Sequence, residues 1–204
     1  MARLAVRGTF SPTGPRRPAS ARRLPRTLGL AGHLTRARQP EITMTTYRDG
    51  GCLCGSVRFR AEGRPMRTLV CHCRFCQRVT GSTSYAESMY PIDSVQFSGA
   101  AMAQYSHTSE GSSKQVHVHF CSKCSTALTL TFERWPEYRA ISRGSFDDPN
   151  SVAIGSHIWV SSAQTGVVLP AETECFQFAR ASLDGTPQNP VRHAAPQLAR
   201  SEAS

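Results

Sequence analysis

The chain has 204 residues, eight cysteines, 39% hydrophobic residues and a formal net charge of +10. No apolar run is long enough to cross a bilayer as a helix, so no membrane partner is expected and the expectation is a soluble chain with one sizeable core. The charge does not mark a nucleic-acid-binding domain: residues 1–43 hold nine arginines against one acid, Glu41, for +8, which leaves +2 over residues 44–204.

The first segment, 1–43, is rich in Arg, Pro, Ala, Ser and Gly and lacks hydrophobic periodicity, so it is expected to be a disordered basic extension. Its apolar stretch from Leu28 to Leu34 is short and broken by Gly29 and Gly32, which does not make a secretory signal. Three accounts fit it: an organellar transit segment, a nucleic-acid-binding arm, or sequence upstream of an effective start at Met44. The last is the working expectation, because Met44 stands eight residues before the first clustered cysteine.

From Met44 the pattern is mostly strand. Val57, Phe59 and Ala61 alternate with Ser56, Arg58 and Arg60; Val116, Val118 and Phe120 alternate with Gln115, His117 and His119; Leu128 and Leu130 alternate with Thr129 and Thr131. Ile154 to Val160 reads as a further short strand, with Trp159 inside it. Turns are expected at Asp49-Gly50-Gly51, Glu62-Gly63-Arg64-Pro65, Glu110-Gly111 and Asp147-Asp148-Pro149-Asn150. No stretch keeps a 3.6-residue period over three turns. After about Asp184 the chain turns Pro- and Ala-rich, so one domain over 44–183 followed by a frayed tail over 184–204 is expected.

Seven cysteines fall into tight groups: Cys52/Cys54, Cys71/Cys73/Cys76 and Cys121/Cys124. Residues i and i+2 of a strand share a face, so Cys52/Cys54 and Cys71/Cys73 are each expected to present two sulfurs together. The two-residue spacing of Cys73/Cys76 and Cys121/Cys124 is that of a zinc knuckle, whereas a disulfide scaffold is usually short and secreted. Seven thiolates do not fill two four-coordinate sites: one ion is closed by four sulfurs and the other keeps three and an open position. Closed sites stabilise folds, and open ones bind substrate. Cys175 stands alone and reads as a small buried hydrophobe.

Other residues near these groups have weaker readings. His117 and His119 share a strand face with Cys121 and are expected beside the ligands rather than among them. His72, between two ligands, is expected to orient them or to be exposed. Gly81-Ser82-Thr83 reads as a turn, and Arg74 and Arg78 flank the open site where a carboxylate-bearing substrate would be attracted.

The blocks Gly50-Gly51-Cys52-Leu53-Cys54-Gly55-Ser56-Val57, Cys71-His72-Cys73-Arg74-Phe75-Cys76-Gln77-Arg78-Val79-Thr80-Gly81-Ser82 and Phe120-Cys121-Ser122-Lys123-Cys124 carry a resemblance. In this order they resemble the glutathione-dependent formaldehyde-activating family, to which centromere protein V also belongs. Gly144-Ser145-Phe146-Asp147-Asp148-Pro149 and His157-Ile158 are similar to that family's later blocks. The resemblance implies a mainly β fold, a β-tent of antiparallel sheets built around a structural zinc. It also implies a partition: Cys52, Cys54, Cys121 and Cys124 for the structural ion, and Cys71, Cys73 and Cys76 for a catalytic one, two Zn²⁺ per chain. The family's tryptophan shortly after the His-Ile strand has no counterpart in Ser161–Pro170, which points to a different substrate pocket.

A zinc held by three thiolates suits the capture of a substrate thiol, because a soft open position lowers the thiol's pKa. The expected activity is that of a cytoplasmic carbon–sulfur lyase that forms or cleaves a thiol–aldehyde adduct such as S-hydroxymethylglutathione, with glutathione as the thiol partner and no nucleic acid. The alternative is a non-catalytic zinc-binding interaction module whose basic arm contacts nucleic acid.

Overall fold

A computed structural model describes residues 46–109 and 112–200. The basic segment, Met44 and the Glu110-Gly111 turn lie outside the described residues.

In chain order the elements are β1 (Tyr47–Gly51), β2 (Val57–Glu62), β3 (Arg67–Cys71), α1 (Arg74–Thr80), β4 (Tyr85–Pro91), β5 (Val95–Gly99), β6 (Met102–Thr108), β7 (Gln115–Cys121) and β8 (Ala127–Phe132). There follow β9 (Tyr138–Ser142), β10 (Ser156–Ile158), β11 (Val168–Leu169), β12 (Glu174–Cys175) and β13 (Gln197–Leu198). The fold is mainly β, as expected. Strands β1, β2 and β5 form a small antiparallel sheet, and eight more form a large one in the order β12-β10-β3-β4-β9-β8-β7-β6. From β3 to β6 the large sheet is antiparallel, but β10 joins β3, and β12 joins β10, in parallel. Among the described residues no helix is long and apolar enough to cross a membrane.

Strand β2 keeps the predicted alternation: Val57, Phe59 and Ala61 are buried while Arg58, Arg60 and Glu62 are exposed. Its inward face meets the large sheet in a first core with Tyr90, Leu128, Ile141 and Phe146, where Phe59 sets its ring edge-on to Phe146 at 5.3 Å. The opposite face of the large sheet carries a second core of Leu69, Tyr85, Met89, Val118, Leu130 and Ala140. Helix α1 lies over this second face, with Phe75 and Val79 packed on it. The centre of the large sheet is therefore covered on both sides, and alternation fails there. Thr129, expected outward, is buried, and so is every residue from Glu87 to Tyr90.

Three local expectations are corrected. Asp49-Gly50-Gly51 is not a turn but the end of β1, paired with β2; Gly50 is needed because a Cβ there would collide with the Phe59 ring and the Ser145 carbonyl. Cys73 does not share a strand with Cys71: β3 ends at Cys71, and Cys73 caps a helix of seven residues, too short to show a period, which ends on Gly81 in the left-handed conformation at φ 62°. Trp159 is not inside a strand: β10 stops at Ile158, and Trp159 takes φ 57° and starts a 3-10 turn over Val160–Ser162.

Residues 184–200 run back along the domain. Val191 and Cys175 exchange backbone hydrogen bonds of 2.8 and 2.9 Å, β13 pairs with β11, and Arg192 reaches Glu174 at 2.8 Å.

Candidate functional site

Two turns bring the first sulfur set together. Cys52 follows β1 and closes a tight turn onto Gly55, whose N–H donates to the Cys52 carbonyl at 3.0 Å. Cys121 ends β7, and its carbonyl accepts from Ser125 at 2.9 Å in the turn to β8. The turns dock on each other through Leu53 N–H, which donates to Thr126 Oγ1 at 3.2 Å. Cys52 and Cys54 therefore converge through a turn rather than through strand alternation. A register shift between His119 and Phe120 also breaks the strand face that Cys121 was expected to share with the histidines.

The Sγ atoms of Cys52, Cys54, Cys121 and Cys124 all lie within 4.8 Å of one another. Cys54 Sγ stands 3.5 Å from that of Cys52 and 3.8 Å from that of Cys121. Four sulfurs at about 2.3 Å from one tetrahedral zinc are about 3.8 Å apart, so the set fits that ion. The surroundings suit thiolates. Backbone N–H groups of Val57 and Lys123 point at the sulfurs of Cys52 and Cys121 at 3.2 and 3.4 Å. Hydrogen bonds from the Thr126 hydroxyl and then from its backbone N–H hold the Cys124 thiol down to about 5. All eight cysteines are free, so none is committed to a disulfide.

The second set is Cys71, Cys73 and Cys76, again with sulfurs within 4.8 Å. Cys71 is the last residue of β3, and Cys73 is the N-cap of α1, where its Sγ accepts from Cys76 N–H at 3.4 Å. One negative charge settles on Cys73, whose pKa falls to about 3 because Cys71 and then Cys76 donate to it. The same sharing holds the thiols of Cys71 and Cys76 well above the ordinary range. Cys71 and Cys76 are buried and Cys73 is half-buried, so the set meets solvent at Cys73. The described structure thus holds one set of four cysteines and one of three, each able to hold a metal ion such as zinc.

Beside α1 lies an open pocket of about 360 Å³, lined by Arg74, Gln77, Arg78, Gly81, Ser82, Thr83 and Gln164. Arginine is its only charged residue type. Buried Gln77 organises one wall: its Nε2 donates to the carbonyls of His72 (2.6 Å) and Ser162 (2.9 Å), while its Oε1 accepts from Gln164 (3.0 Å) and from Arg74. These bonds fix α1 against the turn that follows Trp159.

His72 is 1% exposed, which removes the exposed alternative. Its Nε2 shares a 3.0 Å hydrogen bond with Nδ1 of buried His157, and its backbone N–H donates to the Ile158 carbonyl. Burial lowers both imidazoles, that of His157 to about 4, so the pair is neutral and ties the Cys71–Cys73 segment to β10. His117 and His119 bond Ser106 (2.8 Å) and Thr131 (2.8 Å) and join neither sulfur set. Cys175 is buried in a small third core, as expected.

Sequence reasoning missed Gln77 and Tyr85, which packs in one core with Cys71 and Cys76. Tyr85 Oη bonds Ser142 Oγ at 2.5 Å, and Ser142 in turn donates to the Ala127 carbonyl at 2.6 Å.

The family model described as glutathione-dependent formaldehyde-activating enzyme matches residues 47–162. A Halomonas elongata protein named "Putative glutathione-dependent formaldehyde-activating enzyme" is 34% identical over 92 residues, which are 44% of this chain and 59% of that protein's length. A crystal structure of a Rhodobacter sphaeroides protein aligns with a TM-score of 0.41 at 16% identity, over 50% of this chain and 93% of that one. The matched span takes in both sulfur sets and exceeds half of the sequence: the chain belongs to the glutathione-dependent formaldehyde-activating enzyme family.

Proposed function

We propose that the protein is a zinc-dependent carbon–sulfur lyase that forms or cleaves a thiol–aldehyde adduct such as S-hydroxymethylglutathione. In this reading Cys52, Cys54, Cys121 and Cys124 hold a structural zinc, and Cys71, Cys73 and Cys76 hold the catalytic one. The observation that carries it is the three-sulfur set, half-buried at Cys73, the N-cap of the helix whose Arg74 and Arg78 line an open pocket. Zinc bound there supplies a soft open position at which a thiol ionises near neutrality.

The chain's own residues then bind and orient. Arg74 and Arg78 stand one turn apart on α1 and attract the carboxylates of a peptide thiol, while Gln77 and Gln164 offer further polar contacts. Positioning is the main contribution, since thiol and aldehyde already combine in water and an oriented pair reacts faster. The domain over 44–183 is read as the unit that carries the activity.

The test is formaldehyde consumption by glutathione with and without the protein. Acceleration is expected, and its absence would reject the reading. Arg74→Ala combined with Arg78→Ala should raise KM for glutathione roughly tenfold, since hydrogen bonds to charged groups are worth about 1.5–3 kcal/mol. KM for the uncharged thiol 2-mercaptoethanol should stay unchanged. Equal loss for both thiols would remove the arginines from substrate binding.

A further inference from the structure

At the end of the large sheet where β3 and β7 stop and β4 and β8 begin lies a second cavity, of about 500 Å³, a size that suits a small-molecule ligand. Cys52 and Thr126 line it from the four-sulfur set, where Thr126 Oγ1 stands 3.2 Å from the Cys124 sulfur. Tyr85 lines it from the three-sulfur set: it is opposite Cys71 across the β3–β4 ladder and packs in one core with Cys71 and Cys76. The cavity therefore reaches from one set of cysteines to the other. Its charged residues, Arg58 and Asp147, are already joined to each other by two hydrogen bonds.

The hydroxyls of its wall share one property. Ser142 has a single hydroxyl proton, and the 2.6 Å contact with the Ala127 carbonyl uses it, because a carbonyl only accepts. The 2.5 Å contact between Tyr85 Oη and Ser142 Oγ must then carry the phenol's own proton. Tyr85, Ser142 and Ala127 all line the cavity, and the phenol oxygen keeps lone pairs alone for anything else. Thr80 likewise donates to the Cys76 carbonyl at 2.9 Å, and Ser145 to the Ser142 carbonyl at 2.7 Å. Thr126 donates to the sulfur of Cys124 when that cysteine is a thiolate. Ser84 is the exception. A wall built this way offers acceptors, so it holds a ligand that donates.

The two sides of the thiol–aldehyde reaction differ in this respect. A free aldehyde carries a carbonyl oxygen, which only accepts, whereas its thiol adduct carries a hydroxyl, which donates.

We propose that this cavity receives the hydroxymethyl end of the adduct and that Tyr85 Oη accepts the hydrogen bond from its hydroxyl, a role that rests on the lyase reading above. Tyr85 is then a specificity residue: it separates the adduct from free aldehyde and from plain S-alkyl thioethers. Its ring is 3% exposed and held in the core, so the oxygen is placed before the ligand arrives.

The experiment titrates S-hydroxyethylglutathione and S-propylglutathione, stable thioethers of equal length that end in a hydroxyl and a methyl, into the zinc-loaded protein by calorimetry. The wild type should bind the hydroxyl compound about tenfold more tightly, the size of one buried hydrogen bond. Tyr85→Phe should bring the two affinities within twofold of each other while keeping its zinc and a cooperative melt. Ser142→Ala frees the phenol proton to turn into the cavity, so S-acetonylglutathione, whose ketone only accepts, should gain about tenfold over wild type. Equal affinities in the wild type, no binding of either thioether, or a Tyr85→Phe protein that keeps the tenfold preference overturns the assignment. If Tyr85→Phe does not fold, Ser142→Ala decides, and no gain for the ketone overturns it. A wild type that prefers the hydroxyl compound but does not accelerate formaldehyde consumption rejects the lyase reading and leaves the cavity a hydroxyl-binding site, so the two failures are told apart.

Discussion

Cys121→Ala should not fold. Cys121 is 0% exposed and stands where the turn after β1 in the small sheet meets the turn after β7 in the large one. Removing its sulfur opens the four-thiolate set and strands three thiolates, two of them at least partly buried. A structural zinc contributes roughly 10–16 kcal/mol, as much as the roughly 5–15 kcal/mol that holds a whole domain together. Circular dichroism of the purified variant should show no cooperative melt, or the protein should be insoluble. Cys54→Ala should do the same, although Cys54 is exposed, because the loss lies in coordination and not in packing. A soluble Cys121→Ala protein with a native melt would deny this site its structural role.

Cys73→Ala should separate folding from function. Cys73 caps a helix of only two turns and is the solvent-facing member of its set. Losing the cap costs about 0.5–2 kcal/mol, which a domain of this size survives. The variant should be folded, carry one zinc fewer per chain and give no acceleration of the thiol–formaldehyde reaction. If Cys73→Ala unfolds while Cys121→Ala folds, the two sets have exchanged roles.

What could be read in advance follows from how each element meets solvent. Strand β2 keeps one wet face, so Val57, Phe59 and Ala61 announce themselves by alternation. Strands β4 and β8 are covered on both faces, so Thr129 and Ser88 look solvent-facing until a core is known to lie on each side of the sheet. Helix α1 has no room for a period, and the left-handed backbone at Trp159 is a single-residue event set by its 2.9 Å bond to the Phe178 carbonyl.

At the site the cysteines were legible because metal ligation demands residues of one kind at short spacing. Their partition between two ions was legible only through the family resemblance, since spacing alone leaves the grouping open. Gln77 and His157 were not legible, because each takes its role from a partner 85 residues away in the chain, Ser162 and His72 respectively.

The central claim is that one of two zinc sites keeps a position open for a thiol. X-ray absorption on the cobalt-substituted protein, recorded before and after addition of glutathione, tests it most directly. Two metals per chain are expected, with the average sulfur coordination rising from about 3.5 to about 4 as one ion gains a single sulfur and the other is unchanged. Unchanged spectra at saturating glutathione, or a protein that holds only one metal, would contradict the account.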